Sequence, residues 1–274
     1  MIDMDLIKRA LAEDLQGGED VTSVSTIPAD AISTADFTAR KAGVLAGVDM
    51  VRAVLEEVGL TDISIKKQDG DQISAGEVLI SVTGNTRAIL LAERTALNFV
   101  GHLSGIATET AKWVKEVSGT NCKVRDTRKT TPGYRQLEKF AVRMGGGTNH
   151  RMSLSDAALI KDNHIAAAGG VAQAFSAVRS AFPTAPIEIE VDTLDQLREV
   201  LPLHPDLVLL DNMTPVQCAE AVAIVNGETK LEASGGIALA NAKAYAESGV
   251  DYIAIGALTH SAAVLDIGLD LRAE

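Results

Sequence analysis

Apolar and polar positions alternate along the chain in two different rhythms. In the first hundred residues the elements are mixed. Leu6, Ile7, Ala10, Leu11 and Leu15 share one face of a helix predicted over 3–15, which the glycines of GGED at 17–20 end. Residues 32–39 read as a strand, 48–59 as a helix closed by Gly59, and 61–67 as an alternating strand. The segment 69–84 reads as a turn and a strand pair. Residues 86–117 are helical throughout, with Gly101 and Gly105 predicting breaks between two helices.

From residue 121 the rhythm becomes repetitive. Short apolar runs at 123–129, 157–164, 187–193, 207–213, 231–236 and 252–258 predict strands. Helix-compatible stretches at 171–182, 194–201, 215–225 and 239–249 separate the later ones. Strands that are apolar on both faces and alternate with helices imply a parallel sheet. The regular βα spacing favours a barrel over an open sheet, and six clear strands make it an incomplete or atypical one. The fold class is therefore α/β. An α+β layer at 1–108 precedes a β/α barrel at 109–264, and the tail 265–274 is a candidate to complete the first domain.

Composition narrows the partners. The 274 residues carry a formal net charge of −12, with only 3% aromatic residues. Such a balance disfavours duplex DNA, anionic membranes and base-stacking platforms. No apolar run approaches membrane-spanning length, and the acidic amphipathic N-terminal helix lacks the basic start of a signal peptide. Cys122 and Cys218 lack metal-ligand spacing and read as buried thiols in a reducing compartment, so a cytoplasmic location is expected.

Against that acidic background, residues 123–151 hold eight lysines or arginines and two acids, Asp126 and Glu138. So much like charge in one segment points to an anionic ligand. Arg135, Lys139 and Arg143 recur every four residues and read as a solvated helix face, whereas Arg128, Lys129, His150 and Arg151 fall in flanking loops. The residues that end the predicted strands are Arg128 with Lys129, Lys161, Glu190, Asp211, Ser234-Gly235-Gly236 and Gly256-Ala257. In a barrel these ends meet at one mouth. Arginine forks and lysines suit carboxylates. Glu190 and Asp211 suit sugar hydroxyls or Mg²⁺, and glycine turns before helices suit a phosphate. Together they describe a site for an acid and a phosphorylated sugar. His102, His204 and His260 read as packing or surface residues, His164 as a supporting residue, and Trp113 as core or interface.

The blocks DTRKTTPG (126–133), GGGTNHR (145–151), LIKDNH (159–164), EVDT (190–193) and SGGI (234–237), with ERTALNFVGHLSGIAT (93–108) upstream, closely resemble quinolinate phosphoribosyltransferase. The resemblance spans nearly the whole chain. It implies an N-terminal α/β sandwich, a C-terminal barrel of six to seven strands, and a homodimer with an active site shared between subunits. The implied reaction joins quinolinate and phosphoribosyl pyrophosphate, giving nicotinate mononucleotide, pyrophosphate and CO2. It needs Mg²⁺ and no organic cofactor. Carried over by position, Thr127, Arg128, Lys129, His150, Arg151 and Lys161 would face quinolinate and pyrophosphate. Glu190 and Asp211 would hold ribose hydroxyls and Mg²⁺. Ser234, Gly235, Gly236, Gly256, Ala257 and Leu258 would hold the 5′-phosphate, and Arg94 would reach the quinolinate of the neighbouring subunit. Lys129, Lys161, Glu190 and Asp211 are the expected catalytic groups. A relative acting on another aromatic acid, or a non-catalytic phosphosugar-binding barrel, are the alternatives.

Overall fold

The computed structural model describes residues 2–272. In chain order its first elements are α1 (Met4–Leu15), α2 (Val21–Thr26), β1 (Ile32–Ala39), β2 (Gly43–Val44), α3 (Val48–Glu57), β3 (Asp62–Ile65), β4 (Gln72–Ile73), β5 (Val78–Asn85) and α4 (Thr86–Glu116). They continue with β6 (Lys123–Arg125), α5 (Arg135–Met144), β7 (Ala158–Ile160), α6 (Asp162–Ala168), α7 (Val171–Ala181), β8 (Ile187–Val191) and α8 (Leu194–Val200). The last are β9 (Leu207–Asp211), α9 (Pro215–Val225), β10 (Lys230–Ser234), α10 (Leu239–Glu247), β11 (Tyr252–Ala254), α11 (Ala257–His260) and β12 (Ile267–Leu271).

Two compact units result. The first takes the chain through Ala111, the segment Gln136–Gly146, and the chain from Ser261 onward. Its main sheet is antiparallel in the order β12-β1-β5-β3. Alternation along β1 buries Ala35, Phe37 and Ala39. On the opposite face Arg272 Nε donates to Asp36 at 2.8 Å and Ser81 Oγ donates at 2.6 Å. Those hydrogen bonds, Arg272's foremost, hold the Asp36 carboxyl below its ordinary value.

The predicted break in α4 does not occur: one helix runs unbroken for 31 residues. Gly101 and Gly105 serve close packing instead. A Cβ on Gly105 would lie 2.1 Å from the carbonyl oxygen of Ala263, and one on Gly101 would lie 2.9 Å from Val264 Cγ1. The backbone that leads into β12 thus lies directly against the glycine face of the helix. The basic helix α5 also differs from expectation. Lys139 and Glu138 are fully buried, and Glu138 Oε1 lies 2.9 Å from His102 Nε2. Lys139 therefore belongs to a core, whereas Arg143 is exposed as expected and Arg135 is half-buried.

The second unit comprises Lys112–Arg135 and Gly147–His260. Its six strands are all parallel, in the order β6-β11-β10-β9-β8-β7. Every residue of β8, IEIEV, is buried. Ile187, Ile189 and Val191 alternate with Glu188 and Glu190, so one face of this strand is apolar and the other acidic. Thr193 and Thr214 cap α8 and α9, each accepting from the backbone N–H three residues on. Several strands stop earlier than their apolar runs suggest. β6 ends at Arg125, leaving Arg128 and Lys129 in the loop, and β7 ends at Ile160, with Asp162 opening α6. β11 ends at Ala254, and Ala257 already begins α11.

Candidate active site

A cavity of about 550 Å³ opens at the carboxyl ends of the second unit's strands. Residues following β6 and β7, the two edge strands of the sheet, both line it, so the sheet curls around this space. Thr127, Arg128, Lys129, His150, Arg151, Lys161 and Asp211 form the charged and polar part of its wall. Ser234, Gly235, Gly236, Gly256 and Ala257 form the part that faces two helix starts. Glu190 stands behind this surface, Leu258 is fully buried, and Arg94 is exposed on α4 in the first unit.

The cationic side is held apart by its scaffold. Thr259 Oγ1 donates to the carbonyl of Lys129 at 2.7 Å, tying the loop after β6 to α11. Asp126, fully buried, accepts from the backbone N–H of His150 at 2.8 Å and from Asn149 Nδ2. It thereby joins the Thr127–Lys129 loop to the Asn149–Arg151 loop. Arg151 Nη1 donates to the carbonyl of Ala157 at 3.0 Å. Burial, and then the neighbouring charge of Arg128, push the Arg151 pKa down. Arg128 Nε is buried without a hydrogen-bond partner. Two guanidinium groups that repel, one with an unsatisfied N–H, form a receptor for a carboxylate.

Across the cavity Lys161 Nζ donates to Glu190 Oε2 at 2.6 Å. Lys161 caps α6, and His164 Nδ1 accepts its backbone N–H at 3.0 Å, which gives His164 a supporting place. Burial, then Glu190 and Asp192, raise the Asp211 pKa, with Lys161 opposing. Asp211 therefore sits in negative potential that a cation would relieve. Asn212 holds a left-handed backbone (φ 53°) and donates from Nδ2 to Asp211 Oδ2 at 2.6 Å. Gly235 accommodates it: a Cβ there would lie 2.2 Å from Asn212 Oδ1. His260, expected as packing or surface, also lines the cavity.

Beneath the mouth lies a network absent from the expectations. His150 Nε2 lies 2.8 Å from Glu188 Oε2 and 3.5 Å from Glu232 Oε1. Arg125 Nη1 donates to Glu232 Oε2 at 2.8 Å, with its guanidinium 4.0 Å over the Tyr252 ring. Burial, then Glu188, push the Glu232 carboxyl up to about 7, while His150 and Arg125 pull the other way. His150, Glu188 and Glu232 bring ligand atoms within 4.8 Å of one another. Arg125 already compensates Glu232, so they form a network of charge-assisted hydrogen bonds.

Comparison with known proteins agrees with this geometry. Residues 20–104 match the model of the quinolinate phosphoribosyl transferase N-terminal domain, and residues 106–270 match that of its C-terminal domain. The chain is 51% identical to the nicotinate-nucleotide pyrophosphorylase [carboxylating] of Mycobacterium leprae, over 97% of this chain and 96% of that one. A probable enzyme of that name from Bacillus subtilis is 40% identical, over 97% and 92% of the respective chains. The crystal structure of nicotinate-nucleotide pyrophosphorylase from Ehrlichia chaffeensis superposes with a TM-score of 0.93 at 40% identity, covering 98% of both chains. With both halves matched and the cavity at the mouth of the second, the chain belongs to the quinolinate phosphoribosyl transferase family.

Proposed function

We propose that this cavity transfers the phosphoribosyl group of phosphoribosyl pyrophosphate to quinolinate, with loss of CO2, in the synthesis of nicotinate mononucleotide for NAD. The observation that carries the reading is the pairing of Arg128, its Nε buried and unpartnered, with Arg151 in one wall of the cavity. A monoacid would leave such a pair partly uncompensated, whereas a pyridine diacid satisfies both guanidinium groups. Ser234, Gly235, Gly236, Gly256 and Ala257, before α10 and α11, offer backbone N–H groups to the 5′-phosphate.

The pyridine nitrogen's lone pair forms the bond to the anomeric carbon, and pyrophosphate leaves with the old bonding pair. Asp211, with Glu190 behind Lys161, stabilises the positive charge that develops on the sugar. Lys129 and Lys161 oppose the charge on the leaving group. The carboxylate beside the nitrogen then departs as CO2. Its electron pair remains on the ring carbon next to the cationic nitrogen until a proton arrives. Asp211, in the negative potential of Glu190 and Asp192, fits a hard divalent cation shared with phosphates, and Glu190 is the second carboxylate of that set. When bound, Mg²⁺ neutralises pyrophosphate oxygens.

Arg94, exposed on α4, is read as completing the site of a second subunit in a homodimer. Among the described residues no helix is long and apolar enough to cross a membrane. Two free, buried cysteines suit a cytoplasmic enzyme. The test is release of labelled CO2 from carboxyl-labelled quinolinate, dependent on phosphoribosyl pyrophosphate. Turnover of another aromatic acid without CO2 would shift the substrate assignment, and binding of the phosphosugar without turnover would make the barrel a non-catalytic one.

A further inference from the structure

We infer that Glu188 is a positioning residue that acts through His150 on Arg151, holding the imidazole as its neutral Nε2–H tautomer. The inference rests on the proposed reaction for its kinetic consequences and on geometry alone for the tautomer.

His150 Nδ1 accepts the backbone N–H of Arg151 at 2.7 Å. A nitrogen that accepts from an N–H presents its lone pair, so the ring's proton must sit on Nε2. Nε2 points to Glu188 Oε2, 2.8 Å away, which as a carboxylate can only accept. The two contacts agree on one protonation pattern. They leave the imidazole as a strut between a buried carboxylate and the main chain of the arginine beside it. Glu232 cannot take over this work. Its Oε1 is 3.5 Å from Nε2 and its Oε2 is engaged by Arg125, so moving towards His150 would loosen that ion pair.

Asp126 braces the same loop from the other side through the backbone N–H of His150. Arg151 needs such bracing because burial and Arg128 both disfavour its charge where it stands. Glu188 itself is in a strained position: it is buried, its Oε1 lacks a hydrogen bond, and Glu232 lies close. A carboxylate kept there against repulsion by Glu232 suits a role in the site better than one in stability.

That contrast supplies the test. Glu188→Leu is expected to raise the KM for quinolinate about tenfold, the worth of one charge-assisted hydrogen bond, with the KM for phosphoribosyl pyrophosphate changed less than about twofold. Its unfolding temperature should hold or rise, since a repulsive buried pair is removed. Glu188→Gln should restore most of the quinolinate KM, because the amide oxygen still accepts from Nε2. ¹⁵N spectra of histidine-labelled protein, without substrate, should show His150 as Nε2–H in the wild type and as a mixture in Glu188→Leu. An unchanged quinolinate KM, equal losses for both substrates, or a lower unfolding temperature with no rescue by glutamine would overturn the inference. So would an Nδ1–H or doubly protonated His150 in the wild type. Because the spectra need no turnover, a wild type unable to use quinolinate would sink the proposed reaction while leaving the placement of His150 to be decided separately.

Discussion

Glu232 is the residue whose chemistry departs furthest from its surroundings in the sequence. Burial first, then the neighbouring Glu188, push its fully buried carboxyl up to about 7 from an ordinary value of 4.5. Between those values the folded state holds a proton that the unfolded chain has lost, so stability is greatest below about 4.5 and falls as pH rises through about 7. At roughly 1.4 kcal/mol per pKa unit the loss is on the order of 3–4 kcal/mol. Glu232→Gln mimics the protonated form. Urea unfolding should show it level with the wild type at pH 4.5 and more stable at pH 8; a variant weaker at pH 8 would mean that the ionised pair with Arg125 is net stabilising. Arg128, Lys129, Lys161 and Asp211 were legible in the sequence because each ends an apolar run with a charge. Glu188, Glu232 and Asp126 were not, since a carboxylate inside or beside a strand reads as its solvent face. Only a curled sheet reveals that this face is an interior. Asn212 and His260 carried no signal of charge or spacing.

Among the elements, α4 tests what periodicity can tell. A glycine in a helical pattern is a break or a contact, and the local sequence around Gly101 and Gly105 is the same for both. The deciding neighbours, Ala263 and Val264, are more than 150 positions away. The long helix was therefore legible and its continuity was not. Gly105→Ala separates the two cases. In an ordinary helix interior the change stabilises by about 1 kcal/mol. Here the added methyl meets a backbone carbonyl at 2.1 Å, and overpacking of about 1–3 kcal/mol should win. A lower unfolding temperature is expected; a higher one would show that the segment before β12 yields. The strand ends were overextended for a related reason. Residues such as Asp162–His164 continue an apolar run in chain order but turn into a helix once Lys161 caps it.

At the scale of the molecule, the prediction concerns assembly. If Arg94 serves a second subunit, Arg94→Ala and Lys129→Ala homodimers are each nearly inactive. In a mixed dimer one site has both lesions and the other has neither. Half the dimers are mixed after random exchange of equal amounts, so about a quarter of all sites should be intact. Activity that stays at parental level after proven exchange would assign Arg94 to its own chain or to no site at all. The pairing of β1 with β12 carries a different implication. Ala35 meets Leu271 and Ala39 meets Ile267, so β1 waits for β12, made more than two hundred residues later. The glycine face of α4 waits for residues 263–265 in the same way. During synthesis on the ribosome, β1 therefore keeps a bare edge while more than two hundred further residues are added. The antiparallel sheet is then completed only after the parallel one has been made. A chain stalled or truncated before β12 leaves that edge exposed for proteases and for other nascent chains.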